Sequence, residues 1–196
     1  MRAVSPRWTR ALVALFLVLA AVVGGGFYWD ARGRVATVEA GHLYRSKAMP
    51  PDRLLEVARE LGIKTVIDLR QPGPGVTAEA DALANTGIAH VNLPSTQVPD
   101  LATVDRFLEV MRDETRHPVL LHCRHGVGRT GVFAAVYRME RQGWSAGWAS
   151  LEALVMAGGG SFGPFSDKRA FLQQYRPRAA GAAGPGSGSA ARPATP

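Results

Sequence analysis

The chain has 196 residues, enough to bury one proper hydrophobic core, and its formal net charge is +7 at pH 7. This charge is confined to the flanks: residues 1–35 carry +4, residues 176–196 carry +3, and the region between them is neutral. Because no basic stripe with interleaved aromatic residues runs through that central region, nucleic acid is excluded as the main partner.

The N-terminal segment, residues 1–34, is basic and then apolar. Three arginines precede an uncharged run at residues 11–29. As a helix this run would be about 28 Å long, close to the roughly 30 Å of a bilayer core. It predicts a single-pass anchor in the inner (cell) membrane, with the following domain on the extracytoplasmic side. The alternative is a signal peptide cleaved near residues 24–26, which would export the domain.

The central region, residues 35–176, alternates short apolar runs with segments of helical periodicity. Strands are predicted at 43–44, 63–69, 88–93 and 119–121, and helices at 52–61, 77–86, 101–116, 130–142, from the Ser145 cap to 157, and at 167–175. The alternation predicts an α/β fold with a central, mainly parallel sheet flanked by helices. Residues 177–196 are rich in Ala, Gly, Pro and Ser and are predicted to be disordered.

The most informative segment is HCRHGVGRTG at residues 122–131, between the last predicted strand and the next helix. A thiol at a strand end, a glycine-bearing loop and an arginine at a helix start form an anion cradle. Backbone N–H groups point inward in such a loop, and the helix dipole adds positive potential. The same field lowers the pKa of the Cys123 thiol from about 8.5 into a range of roughly 3.5–7.5. The segment therefore predicts a phosphate pocket that contains its own nucleophile.

The spacing gives each side chain of this loop a role. As a thiolate, Cys123 would attack phosphorus in line and form a phosphocysteine intermediate. The planar fork of Arg129 would hold two phosphate oxygens, and the hydroxyl of Thr130 would donate to the thiolate. The preceding His122 is expected to orient the loop. The candidate substrate-binding residues are the rest of the loop: Arg124, His125, Gly126, Val127 and Gly128.

This loop resembles the signature HC-x-x-G-x-x-R-[ST]-G of the cysteine-dependent protein tyrosine phosphatase superfamily. Within it, the chain is similar to the compact bacterial dual-specificity-type phosphatases, also at residues 43–46, 62–70 and 87–94. The resemblance implies a phosphomonoester hydrolase of the tyrosine or dual-specificity protein phosphatase type, without metal or cofactor. Its substrate would be a phosphorylated protein; phosphoinositides and other lipid or sugar phosphates fit the same loop.

A proton donor for the leaving group is expected upstream of the loop, because a placed acid contributes about 10²–10⁴ in rate. The sequence Val-Pro-Asp at residues 98–100 resembles the Trp-Pro-Asp loop of tyrosine phosphatases, with Val in place of Trp. Asp100 is therefore the candidate acid, and Asp105 is the second choice. The alternative role of Asp100 is to cap the helix that begins at Leu101.

Residues outside the loop suggest supporting roles, and two other function classes remain open. Arg45, Asp68 and Arg70 are predicted to form an ion-pair network that supports the loop from strand ends. The five histidines are scattered in the sequence, and no metal site is predicted. A phosphoryl-binding module without turnover is one alternative. A sulfurtransferase of the rhodanese kind is another, which the sequence Gly-x-Gly-Arg-Thr-Gly disfavours.

Overall fold

A computed structural model describes residues 6–31, 33–158 and 160–178 of the chain. A short 3-10 turn, Glu114–Arg116, leads into the last strand. The helices and strands, in chain order, are α1 (Pro6–Ala31), β1 (Ala36–Glu39), β2 (Leu43–Lys47), α2 (Pro51–Leu61), β3 (Thr65–Asp68), α3 (Pro74–Leu83), β4 (Ala89–Asn92), α4 (Leu101–Arg112), β5 (Val119–Cys123), α5 (Gly128–Gln142), α6 (Ala146–Met156) and α7 (Asp167–Gln174).

The five strands form one mixed sheet in the order β1-β2-β5-β3-β4. All neighbours pair in parallel except β1, which pairs antiparallel with β2. The mainly parallel sheet predicted from the sequence is therefore confirmed, with β1 as the unpredicted edge strand. In the register, Lys47 of β2 lies opposite Cys123, and Asp68 of β3 lies opposite His122. The carboxyl ends of the three central strands thus meet at one edge.

Helices cover both faces of the sheet. On one face, α4 and α5 supply Phe107, Phe133 and Tyr137 to the larger hydrophobic cluster. On the other face, side chains of α2 and α3 such as Leu54 and Leu83 form a smaller cluster. All five residues of β5 are buried, since this central strand is covered on both sides.

Capping groups set several helix ends. The predicted stop at Gly62 is confirmed, because this residue closes α2 in the left-handed conformation (φ 65°). The side chain of Ser145 caps α6, as predicted. The predicted helix 101–116 is wrong in its last turn: Asp113 accepts from the backbone N–H of Thr115 at 3.0 Å and starts a separate 3-10 turn. The helix predicted from residue 77 begins earlier, with Pro74 in its first turn.

The N-terminal helix α1 carries exposed apolar side chains, among them Leu12, Phe16 and Val22. The transmembrane helix predicted for residues 11–29 is not supported, because none of the helices in the described residues combines the length and the hydropathy that a membrane span requires. Near the end of α1, Asp30 pairs with Lys47 at 2.7 Å. The tail predicted to be disordered lies, from residue 179 onward, outside the described residues.

Candidate active site

The site is built at the carboxyl end of β5, where the central strand delivers Cys123 to the base of a short loop. The loop residues 124–127 join this strand to α5, whose first residue is Gly128. The carbonyl oxygen of Cys123 accepts from the backbone N–H of Ala48 at 2.8 Å, which holds the strand end against the segment after β2. The predicted strand, loop and helix arrangement is confirmed.

Gly126 fixes the shape of the loop. Its φ is 70°, and a Cβ at this position would lie 2.6 Å from both the carbonyl oxygen of Ser46 and the backbone nitrogen of Lys47. Backbone atoms cannot move aside as a flexible side chain can, so only glycine fits here. The carbonyl of Gly126 accepts from Nη2 of the buried Arg45 at 2.8 Å. The loop is therefore clamped onto the end of β2, and the predicted supporting role of Arg45 agrees with this contact.

The loop acts on the thiol through its backbone. Burial of the sulfur is the largest single effect and raises the pKa of Cys123, but the hydrogen bonds from Thr130 and from the loop backbone together outweigh it. The backbone N–H groups of His125 and Gly126 also point at the sulfur and lower the thiol pKa further. The net result is a thiol with a pKa below its ordinary value, as an activated nucleophile requires.

Thr130 lies in the first turn of α5 and is fully buried. Apart from its interaction with the Cys123 sulfur, whose geometry falls short of an ordinary hydrogen bond, its Oγ1 has no polar partner among the described residues. A buried hydroxyl without another partner is available to donate to the thiolate when the charge forms. This placement agrees with the role predicted for Thr130.

The Arg129 guanidinium is positioned by backbone carbonyls from the loops after β3 and β4. Nη1 donates to Leu69 O at 2.7 Å and lies 3.4 Å from Ser95 O. Beside it is a pocket of about 280 Å³, open to solvent. The pocket is lined by Gln97, Cys123, His125, Val127, Gly128, Arg129 and Ser161.

The structure brings most of the predicted loop residues to this pocket. His125, Val127 and Gly128 line it, and Gly126 is buried behind it. Arg124 is exposed and does not line it. Three further residues near the pocket were not predicted. A Cβ on Gly128 would lie 2.8 Å from Oε1 of Gln97 and 3.8 Å from Nζ of Lys168. Gln97, Ser161 and Lys168 belong to no recognisable sequence pattern, and only the fold places them beside the loop.

Neither candidate acid lies at the pocket in this conformation. Asp100 is exposed, and its Oδ1 accepts from the backbone N–H of Thr103 at 2.6 Å, which caps α4. This backbone hydrogen bond from Thr103 lowers the pKa of the Asp100 carboxyl. Asp105 instead pairs with Arg178. No carboxylate of the described residues lines the pocket. The capping alternative for Asp100 is observed, and its role as an acid stays a prediction.

Behind the nucleophile lies a buried ionic network. His122 Nε2 contacts Glu79 Oε1 at 2.8 Å, and Arg70 Nη2 contacts Glu79 Oε2 at 2.8 Å. Arg70 also binds both carboxylate oxygens of Asp68. Burial raises the pKa of Glu79, but its hydrogen bond with His122 and its other partners lower it to about 2. The predicted Asp68–Arg70 pair is present, and Glu79 is the member that the sequence did not reveal.

This network includes three potential metal ligands, Asp68, Glu79 and His122, whose ligand atoms lie within 4.8 Å of one another. The guanidinium of Arg70 pairs with both carboxylates and so already stands where a cation would bind them. A second such group among the described residues, His42, Glu114 and His117, lies at the opposite edge of the sheet. Among the described residues, no group of three potential metal ligands lies in the pocket itself.

Several known proteins similar to this chain belong to one family of phosphatases. Residues 48–162, more than half of the chain, match the family model described as DSP-PTPase phosphatase fused to NAD+ kinase. The dual specificity protein phosphatase TpbA of Pseudomonas aeruginosa strain UCBPP-PA14 is 32% identical over 133 residues, which cover 67% of this chain and 58% of TpbA. The chain thus spans less than two thirds of this relative.

Solved structures share the fold. The catalytic core of the PP-IP phosphatase SIW14 from S. cerevisiae matches with a TM-score of 0.60 at 23% identity, over 72% of this chain and 85% of that one. TpbA from P. aeruginosa matches with a TM-score of 0.56 at 30% identity, over 69% and 81%. A Cys-to-Ser variant of TpbA in complex with phosphotyrosine matches with 0.51 at 28%, over 67% and 83%. The chain belongs to the DSP-PTPase family of cysteine-dependent phosphatases.

Proposed function

We propose that this chain hydrolyses phosphomonoesters in two steps through a phosphocysteine intermediate. The observation that carries the proposal is the Cys123 thiol, whose pKa is lowered inside a ring of backbone N–H groups beside Arg129. In the first step the sulfur attacks phosphorus, the bond to the leaving oxygen breaks, and that oxygen takes a proton. In the second, water attacks the phosphocysteine and the thiolate leaves, helped by the hydroxyl of Thr130.

Arg129 is the proposed phosphate clamp. Its Nη1 is held by the carbonyl of Leu69. Its Nε and Nη2 make no hydrogen bond within the described residues, so two donors of the fork are free for phosphate oxygens. As charge develops on those oxygens in the transition state, a guanidinium already fixed at the pocket wall stabilises it without rearranging.

The preferred substrates are aryl phosphates such as phosphotyrosine. No carboxylate of the described residues lines the pocket. A leaving oxygen that needs little protonation is therefore favoured, and a phenol, with a pKa of about 10, leaves far more readily than an aliphatic alcohol. The phosphotyrosine bound in the TpbA variant supports this preference.

A second substrate class is a phosphate ester that carries another anionic group, as in phosphoinositides or sugar phosphates. The ammonium group of Lys168 lies beside the first turn of α5, at the edge of the pocket. It adds a positive charge that would bind a second anionic group of the substrate beside the phosphate held by Arg129. The test compares kcat/KM for substrates with one and with two phosphates, in the parent and in Lys168→Met. If the second class is the substrate, the parent has a higher kcat/KM for the doubly phosphorylated ester, and Lys168→Met loses this difference. If aryl phosphates are the substrates, Lys168→Met leaves the ratio of the two kcat/KM values unchanged.

The proton donor remains assigned to Asp100 as part of the proposal. The role requires the segment before α4 to carry the carboxylate from its cap position to the pocket. Asp100→Asn tests this cleanly, because asparagine caps a helix as well as aspartate but cannot donate a proton as a carboxylic acid does. A lost alkaline limb in the pH–rate profile supports the acid role, and an unchanged limb assigns Asp100 to capping alone.

The extracytoplasmic location is also a proposal, supported by the basic N-terminal segment and the exposed apolar side chains of α1. Cell fractionation of the tagged full chain, beside a variant without residues 11–26, tests it. Protein in the membrane or extracytoplasmic fraction for the full chain alone supports the proposal, and the mass of the exported form separates anchoring from cleavage. Cytoplasmic protein in both cases contradicts it.

The activity itself is tested with para-nitrophenyl phosphate and a phosphotyrosine peptide under reducing conditions. We expect turnover in the parent and none in Cys123→Ser. A folded parent that binds vanadate or tungstate without turnover would instead favour a phosphoryl-binding module, and turnover of thiosulfate would favour a sulfurtransferase.

A further inference from the structure

Two histidines that lie 75 residues apart in the sequence meet at the edge of the sheet opposite the active site. His42 precedes β2 and His117 precedes β5, and these strands are neighbours in the sheet. The backbone N–H of Val119 donates to the carbonyl of His42 at 2.8 Å, so the pairing of the two strands holds both histidines in place. Glu114, in the 3-10 turn before β5, completes the group.

Three electron-rich atoms of this group converge. His42 Nδ1 and His117 Nδ1 lie 3.0 Å apart. Oε2 of Glu114 lies 3.2 Å from His117 Nδ1 and 3.7 Å from His42 Nδ1. The ring centroids are 5.1 Å apart, much farther than the two nitrogens, so the rings present their Nδ1 edges to each other.

The size of this triangle matches a divalent ion. The circle through three atoms with these separations has a radius of about 1.9 Å, as follows from the three sides. An ion slightly above the plane of the three atoms would therefore lie about 2.0–2.1 Å from each of them. These are the Zn–N and Zn–O lengths of protein sites, and His₂Glu with an open fourth position is an established zinc donor set.

The surroundings orient the carboxylate and leave one side of the site open to solvent. The other carboxylate oxygen of Glu114, Oε1, accepts from Nη2 of Arg141 at 3.1 Å, which orients the carboxylate. His117 is buried, with a side chain only 4% exposed, whereas those of His42 and Glu114 are 36% and 58% exposed. The group is thus anchored on one side and open to solvent on the other, where an ion can enter and a water molecule can take the fourth position.

We propose that His42, His117 and Glu114 bind one Zn²⁺ ion at a site remote from the reaction. Two neutral imidazoles and a carboxylate leave one positive charge on the bound ion, which the solvent-exposed side of the site accommodates. Val119 and Cys123 are the two ends of β5, about 13 Å apart at the rise of an extended strand. The ion would therefore tie the turn at 113–118 to the sheet and would stabilise the fold without taking part in the reaction.

The test uses the full chain with Cys123→Ser, so that the active-site thiolate cannot bind zinc. Calorimetric titration of the chelator-treated protein with zinc chloride is expected to saturate at one ion per chain. Adding His42→Ala, at a half-buried position, or Glu114→Gln, at an exposed one, should weaken binding at least about tenfold. Adding Glu109→Gln, which removes an exposed acid of α4, should leave it unchanged.

A second readout reports the structural role. Zinc should raise the melting temperature of the Cys123→Ser protein and of its Glu109→Gln control, but not of the His42→Ala and Glu114→Gln variants. Circular dichroism confirms that these variants fold. Absence of zinc binding in the Cys123→Ser protein overturns the proposal. Binding that both His42→Ala and Glu114→Gln leave intact also overturns it, since the ion would then lie elsewhere.

Discussion

The buried network behind the nucleophile makes a quantitative prediction for Glu79→Gln. Glu79 is 2% exposed and contacts Arg70, His90 and His122. The pKa of its carboxyl falls from 4.5 to about 2 in the folded chain, because these contacts outweigh the effect of burial. At about 1.4 kcal/mol for each pKa unit, the ionised group contributes about 3 kcal/mol to the free energy of unfolding at neutral pH.

The pH dependence follows from the sign of the shift. A carboxyl whose pKa is lowered on folding stabilises the folded chain fully above its unfolded pKa of 4.5. This contribution is lost as the pH falls from 4.5 towards 2, and between pH 7 and pH 3 the loss amounts to about 2 kcal/mol. Glu79→Gln has no such group, so its stability should fall by about 2 kcal/mol less than that of the parent over this interval.

Urea unfolding at pH 7 and pH 3 measures both quantities. We expect Glu79→Gln to be destabilised by about 3 kcal/mol at pH 7 and by much less at pH 3. Glu109→Gln, at an exposed position of α4, serves as the control and should behave like the parent at both pH values. A loss below about 1 kcal/mol at pH 7, or an equal loss at the two pH values, would refute the reasoning.

Three further predictions concern the loop and the candidate acid. Gly126→Ala should lower the free energy of unfolding in urea by at least about 2 kcal/mol and abolish turnover, because its Cβ would meet backbone atoms at 2.6 Å. The control Gly87→Ala, also at positive φ but with no atom within 4 Å, should lower it only by the conformational cost of about 1–2 kcal/mol. Equal losses in the two variants would contradict this account. Asp100→Asn should melt like the parent, since Asn caps as Asp does, and should lose the alkaline limb of its pH–rate profile on a phosphotyrosine peptide; an unchanged limb would assign Asp100 to capping alone. Thr130→Ala should raise the pKa of the Cys123 thiol, measured as a higher pH midpoint for its alkylation by iodoacetamide, while Thr130→Ser should not. The same midpoint in the parent, Thr130→Ala and Thr130→Ser would show that the hydroxyl does not stabilise the thiolate.

The sequence predicted the centre of the site well because its chemistry is local. The loop from His122 to Thr130 is continuous in the chain, and its shape depends on one strand, one helix and a glycine with positive φ. The alternating pattern of apolar runs and helical segments was enough for the fold class. The edge strand β1 was missed because Ala-Thr-Val-Glu, although it alternates apolar and polar residues, is only four residues long and stands at the edge of the sheet, so its pattern is too short to stand out.

The contacts that the sequence did not reveal are those made by distant segments. Gln97 reaches the pocket from the loop before α4 and Ser161 from the loop after α6, and Glu79 reaches His122 from the helix after β3. His42 and His117 meet because β2 and β5 are neighbours in the sheet, although β3, β4 and three helices separate them in the chain. Pairings of this kind follow from strand order, which composition and periodicity do not specify.

The central claim is that Cys123 is an activated nucleophile. The most direct measurement is phosphate release from para-nitrophenyl phosphate by the full chain and by Cys123→Ser, combined with mass spectrometry of acid-quenched enzyme during turnover. The account predicts a phosphorylated Cys123 peptide in the parent and a loss of turnover of at least about 10³-fold in Cys123→Ser. Turnover that persists in Cys123→Ser, or phosphate trapped on another residue, would contradict it.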